Sequence, residues 1–332
     1  MIRAVLYSHK DIRLVEGEIP KIGENDILVR VLKCGICTGE LMDWYVDLKA
    51  PYTPGHEIVG VVHEVGEKVK NFKVGERVVV HHHAPCMVCD YCIKGDYVHC
   101  ETWRKSKIFP GGFSEFVLVP EEIHRVDVLK VPEGISEDDA ALVEPLATSV
   151  KAIRRANIRV GERVLGIGLG FMGLLNLEVA RIFGAEVFGV DVLQERINLA
   201  KKFFENVGSY EDIKNDRFDV VIVAPGNKRA IISALRYVRN GGRVVLFAPL
   251  PPNSPIELDI NDIYFREITL IPSYSAGPDD MRISLSIINR VLPSRFITHR
   301  VKLNNIAEGF EIARKPETLK VMVEISQAVP TL

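Results

Sequence analysis

The run "RVLGIGLGFMG", Arg163 to Gly173, limits what this chain can fold into more than any other stretch. A short apolar segment leads straight into Gly168, Gly170 and Gly173, spaced G-x-G-x-x-G, and the apolar helical pattern "FMGLLNLEVARIFG" begins at once. Three glycines so spaced are a frequent accident, but between a strand and a helix they form the turn of a βα unit that binds dinucleotides. The first glycine permits the tight turn, the second lets backbone approach a pyrophosphate, and the third lets helix pack on strand. Free N–H groups at the helix N-terminus then face the phosphates. Gly168, Gly170, Phe171, Met172 and Gly173 are the candidate loop residues. Asp191 ends the next apolar run, near the roughly 20-residue distance expected of a carboxylate that accepts from the adenosine ribose hydroxyls. That carboxylate would repel a 2′-phosphate, which favours NAD over NADP. It could equally cap the helix "LQERINLAKKF". Arg196 could meet a 2′-phosphate but reads better as part of a solvated helix face.

The βα unit has company. From about Ala140 to Val291, helical patterns alternate with the apolar runs "RVLGIG", "AEVFGVD", "FDVVIVA", "GGRVVLFA" and "EITLIPSY", the texture of parallel strands covered on both faces. This is an α/β, doubly wound sheet. Residues 1 to about 130 read as short Val- and Ile-rich runs between turns, a mostly antiparallel β domain for which a partly open barrel fits. The end of the chain, "FITHRVKLNNIAEGFEIARKPETLKVMVEI", returns to strand, helix, strand and is expected to rejoin that first domain. The expected division is 1–148 with 293–332, and 149–292.

With 332 residues and 47% hydrophobic content the chain can bury two cores. Its net charge of -2, with both signs interspersed, supplies no basic face for nucleic acid or an anionic membrane, so small molecules are the expected partners. The longest uncharged stretch, Val164 to Leu177, is too short to span a bilayer, and no basic-then-apolar leader precedes "IRAVLY"; a cytoplasmic protein is expected.

All six cysteines lie between positions 34 and 100, a clustering that argues for metal before disulfides in a reducing compartment. Cys86, Cys89, Cys92 and Cys100 follow at intervals of three, three and eight, in a lobe at about 84–102. Four thiolates so placed can close a tetrahedron around zinc, a structural site; an iron–sulfur cluster could also use them. A second set is dispersed: Cys37 of "CGIC", His56 and Glu57 of "GHE", and Glu144 of "EPLA". Mixed thiolate, imidazole and carboxylate ligation suits a catalytic zinc with one open position.

Together, "CGIC", "GHE", the four-cysteine lobe, "GGFSEF", "EPLA", "GLGFMG" and "LKVMVE" resemble the zinc-containing medium-chain dehydrogenases, in the branch holding sorbitol, threonine and bacterial polyol dehydrogenases. The resemblance covers essentially the whole chain. It implies a GroES-like partly open β-barrel catalytic domain with a Rossmann nucleotide-binding domain, two zinc ions per chain, NAD, and a homo-oligomer, tetramer or dimer. Cys37 and His56 would bind the catalytic zinc and Cys34 would be a bystander. Glu57 or Glu144, directly or through water, would complete the site. The implied reaction is oxidation of a secondary alcohol of a polyol, sugar or sugar acid. An amino-alcohol or L-threonine dehydrogenase shares the motifs. More distant readings are a zinc-free quinone reductase and a protein that binds NAD and zinc without turnover.

The sequence departs from the family at the proton relay, where Gly39 and Met42 stand at the usual serine or threonine and histidine positions. Glu40 would replace the aspartate that orients the histidine ligand, and Thr38 could offer a hydroxyl. His82, or a neighbour among His81 and His83 in "VVVHHHAPC", is a candidate proton acceptor; the alternative is a solvated strand end. Lys320 matches a place where relatives often set a base against the cofactor pyrophosphate, and could equally be a surface charge.

Overall fold

A computed structural model describes residues 1–326; the last six positions of the expected 293–332 segment lie outside the described residues. The chain forms two compact units, Met1–Ala147 with Ala276 onward, and Thr148–Ser275.

In the first unit β1 (Ile2–Ser8) and β2 (Asp11–Glu16) form a hairpin. The main sheet is built on β3 (Ile27–Gly35), β4 (Glu57–Val65), β5 (Arg77–Val80), β6 (Phe116–Val119) and β7 (Val128–Lys130). β3 is apolar on both faces because it lies inside the sheet, paired antiparallel with β4 and β6. The register sets Gly35 opposite Glu57, so the turn after β3, carrying Cys37, and the residue before β4, His56, come off the same end of the sheet.

The second unit holds β8 (Arg163–Ile167), β9 (Glu186–Val190), β10 (Val207–Gly208), β11 (Phe218–Val223), β12 (Val238–Leu246) and β13 (Thr269–Pro272). All pairs are parallel, in the order β10-β9-β8-β11-β12-β13. This is the doubly wound sheet, with its switch point beside β8, where nucleotides bind. Five of these strands match the apolar runs in the sequence. β10 has only two residues and no period to betray it.

The chain then returns to the first unit. β14 (Ile297–Lys302) lies parallel to β15 (Lys320–Glu324), and β15 pairs with β3. Helix Pro278–Val291, expected in the nucleotide unit, groups with the first unit instead. It packs against helices Glu121–Asp127 and Glu137–Ala141. Tyr97 donates its hydroxyl to Asp279 at 2.8 Å, and the Arg282 guanidinium donates to the Val126 carbonyl at 2.9 Å. These contacts move the boundary from 292 to 275. No helix among the described residues is long and apolar enough to cross a membrane.

Candidate active site

Cys37 is the N-cap of a 3-10 turn, Thr38–Leu41, and its sulfur accepts the Gly39 N–H at 3.4 Å. Glu40, buried in the same turn, accepts from Cys37 N at 3.2 Å through Oε2 and from Gly55 N at 2.6 Å through Oε1. Oε1 also lies 3.2 Å from His56 Nδ1. One carboxylate thus ties the thiolate turn to the histidine turn and holds the His56 ring, the orienting role expected for Glu40. Burial works against a charged His56, yet Cys37 and Glu40 push its pKa well above the ordinary histidine value. The pocket favours a cation. Thr38 is exposed at the head of the turn. Cys34 is fully buried, and burial raises its thiol well above the ordinary range, as befits a bystander.

Donor atoms of Cys37, His56 and Glu57 all lie within 4.8 Å of one another. A thiolate, an imidazole and a carboxylate at that spacing fit a zinc ion with mixed ligands. Glu57, however, is fully buried and both its oxygens accept from Lys320 Nζ, at 2.7 and 2.8 Å. Lys320 also donates to the Ile36 carbonyl at 3.0 Å and is 3% exposed. The reading of Lys320 as a surface charge is therefore corrected: β15 delivers it beside β3, where it neutralises Glu57. Gly35 makes the room, since a Cβ there would sit 2.0 Å from a Glu57 oxygen.

Glu144 opens the helix Val143–Arg155 and is buried, which raises its carboxyl pKa. The structure groups its carboxylate with His81 and His82, all donor atoms within 4.8 Å, while the neighbouring His56 charge still acts on it. His82 is not a solvated strand end. Its ring packs 4.8 Å from His56, 5.2 Å from His81 and 4.2 Å from His83, centroid to centroid. Burial and the three neighbouring histidines push its pKa well below the ordinary value. His81, offered by the sequence as an alternative to His82, is fully buried with Nδ1 2.5 Å from Asp127 Oδ2.

In the lobe, Cys86 and Cys92 sulfurs are 3.9 Å apart and Cys89 and Cys92 3.5 Å, and all six cysteines are free thiols. A tetrahedron with Zn–S bonds of about 2.3 Å has S···S edges of about 3.8 Å. The lobe fits zinc. Burial opposes ionisation of Cys100, but N–H donors from Cys86 and Trp103 bring it down to about 6.

In the second unit Gly168 has φ +91°, a conformation that favours glycine, and a Cβ on Gly173 would lie 1.8 Å from the Gly168 carbonyl oxygen. Gly170 caps helix Phe171–Ile182 with no side-chain cap, leaving the first-turn N–H groups of Phe171, Met172 and Gly173 for an anion. Phe171's side chain itself is buried core. Asp191 accepts from Leu169 N at 2.7 Å and Leu193 N at 2.9 Å, so it clamps the glycine loop to β9. The helix cap there is Leu193, and not Asp191. Arg196 is half-buried and turns back to the loop, its Nη1 3.7 Å from where a Gly170 Cβ would stand, which corrects its reading as a solvated helix face.

Residues 23–133 match the family model for the alcohol dehydrogenase GroES-like domain, and residues 172–290 that for the zinc-binding dehydrogenase. The chain is 30% identical to an L-threonine 3-dehydrogenase of Rhizobium etli, covering 98% of this chain and 99% of that one. It is 27% identical to a sorbitol dehydrogenase of Bombyx mori, covering 97% and 98%. Among solved structures, a zinc-binding dehydrogenase of Sinorhizobium meliloti bound to NADP superposes with a TM-score of 0.85 at 26% identity, covering 97% and 98%. The fold, the two donor clusters and these likenesses agree, and the chain belongs to the zinc-containing medium-chain alcohol and polyol dehydrogenase family.

Proposed function

We propose that this protein oxidises a secondary alcohol of a polyol, sugar or sugar acid and passes the hydride to NAD. The observation that carries the reading is the junction of Cys37 and His56 through Glu40, which sets two donors for zinc with a third, the Glu57 carboxylate, within 4.8 Å. Bound there, zinc would supply Lewis acidity that lowers the pKa of an alcohol oxygen. The chain's own part is to orient the Cys37 sulfur through the Gly39 N–H and to hold the His56 ring through Glu40. While its unpartnered nitrogen carries no cation, His82, kept neutral by burial, is available to accept the alcohol proton. Asp191 at the end of β9 supports NAD, because a carboxylate opposes a 2′-phosphate.

A panel of polyols, sugar acids and amino alcohols, assayed with NAD and NADP and with metal content measured alongside, tests this. NADH production on a polyol or sugar acid in the zinc-loaded protein is expected. Turnover confined to threonine or another amino alcohol would favour the second reading, which the threonine dehydrogenase relative supports. No turnover on any member of the panel would refute both.

A further inference from the structure

We propose that His81, His82 and Glu144 form a second divalent-cation position beside the Cys37–His56 pair, distinct from the four-cysteine lobe. Their donor atoms lie within 4.8 Å of one another. Two imidazoles and one carboxylate make a complete three-ligand zinc set that leaves a fourth position open.

The arrangement around His81 is what marks the site as built. β5 pairs with β7 so that Val80 faces Val128, and the next pair of residues, His81 and Asp127, are joined by a backbone hydrogen bond of 3.2 Å. Asp127 then holds His81 Nδ1 at 2.5 Å, with both side chains fully buried. With Nδ1 carrying the proton toward Asp127, Nε2 presents a lone pair. That Nε2 is buried and has no hydrogen-bond partner. A carboxylate fixing the far nitrogen of an imidazole whose near nitrogen is free is the arrangement that supports metal-binding histidines. His82 Nδ1 is likewise buried and unpartnered. Polar nitrogens buried without partners are uncommon and call for a bound group. Imidazole and carboxylate donors without a thiolate suit zinc, cobalt or nickel, and set this position apart from both cysteine-containing ones.

The position does not depend on which alcohol is oxidised, so its test is separable from the assay above. Full-length, tag-free protein is equilibrated with excess Zn²⁺, freed of unbound metal, and its zinc counted. Three ions per chain are expected in wild type and two in the His81→Gln/Glu144→Gln variant. Co²⁺ added to protein carrying two zinc ions should give d–d absorption without a thiolate charge-transfer band, and that absorption should vanish in the same variant. Cys37→Ser should lose one zinc and keep the cobalt signal, which identifies the third ion with the histidines. Two ions in wild type, a third ion that survives in the double variant, or a thiolate band for the added cobalt would each overturn the proposal. If the double variant fails to fold, His82→Phe serves in its place, with near-wild-type far-UV circular dichroism as the check.

Discussion

Replacing Lys320 by methionine isolates the charge that neutralises Glu57. Methionine keeps most of the stem volume but leaves a carboxylate, fully buried beside Gly35, with neither the 2.7 and 2.8 Å hydrogen bonds nor a counter-charge. Breaking a buried pair from one side costs about 3–5 kcal/mol. In a unit of this size each kcal/mol lowers the midpoint by about 2–4 °C, so metal-free Lys320→Met should melt roughly 6–20 °C below metal-free wild type. The pair as a whole contributes far less, because desolvation of two charges offsets their attraction. Removing the second charge should therefore restore most of the loss: Lys320→Met/Glu57→Gln is expected close to wild type. The assay is thermal unfolding by circular dichroism of the wild type, both single variants and the double, read as a double-mutant cycle. A Lys320→Met protein within about 3 °C of wild type, or a double variant no better than the single, refutes the reasoning.

Glu40→Ala should weaken zinc at the Cys37–His56 site by about 10–100-fold in chelator competition, since it frees the His56 ring and both turns; unchanged affinity would deny Glu40 its positioning role. Asp191→Ala should raise the NADP-to-NAD ratio of kcat/KM by at least about tenfold, or about 1.4 kcal/mol, and an unchanged ratio would remove Asp191 from cofactor choice. Burial pushes His83 down to about 4 against the pull of the Ser106 carbonyl. The unfolded chain therefore binds the extra proton between about pH 6.5 and 4, and stability is lost as pH falls through that window. Between pH 7.5 and 5, wild type should lose about 2 kcal/mol more than His83→Gln in urea unfolding; equal losses would show that His83 is not the group responsible.

The second unit was legible because its strands are covered on both faces and so read as unbroken apolar runs, and because each glycine of the loop answers a local demand. Gly168 needs a positive φ, and Gly173 has no room for a Cβ. The four-cysteine lobe was legible because its cysteines lie within fifteen positions of each other in the sequence. The domain boundary was not. Helix Pro278–Val291 has the amphipathic pattern of any Rossmann crossover, and only its contacts with the helices at 121–127 and 137–141 assign it to the first unit. Lys320 went astray because a lysine in an apolar strand has no sequence signature for its partner. Gly35 was the available hint, an unexplained glycine at the end of a buried strand, yet what it makes room for is 22 positions away at Glu57.

The histidine triplet sets the limit of such reading. Strand alternation would put His81 and His83 on one face and His82 on the other, but β5 ends at Val80, and beyond a strand end no period applies. What buries His81 is the pairing of β5 with β7, which sets it beside Asp127, 46 positions later. A sequence shows three equal imidazoles where the fold makes three different ones. His81 is pinned at Nδ1 by a carboxylate, His82 is packed between His56 and His83, and His83 is turned to the Ser106 carbonyl. Their chemistry differs because desolvation and the nearest charge differ, quantities fixed by strand register. For this chain, then, donor residues grouped by local spacing can be read directly, while those grouped by register can be found only once the sheet is assembled.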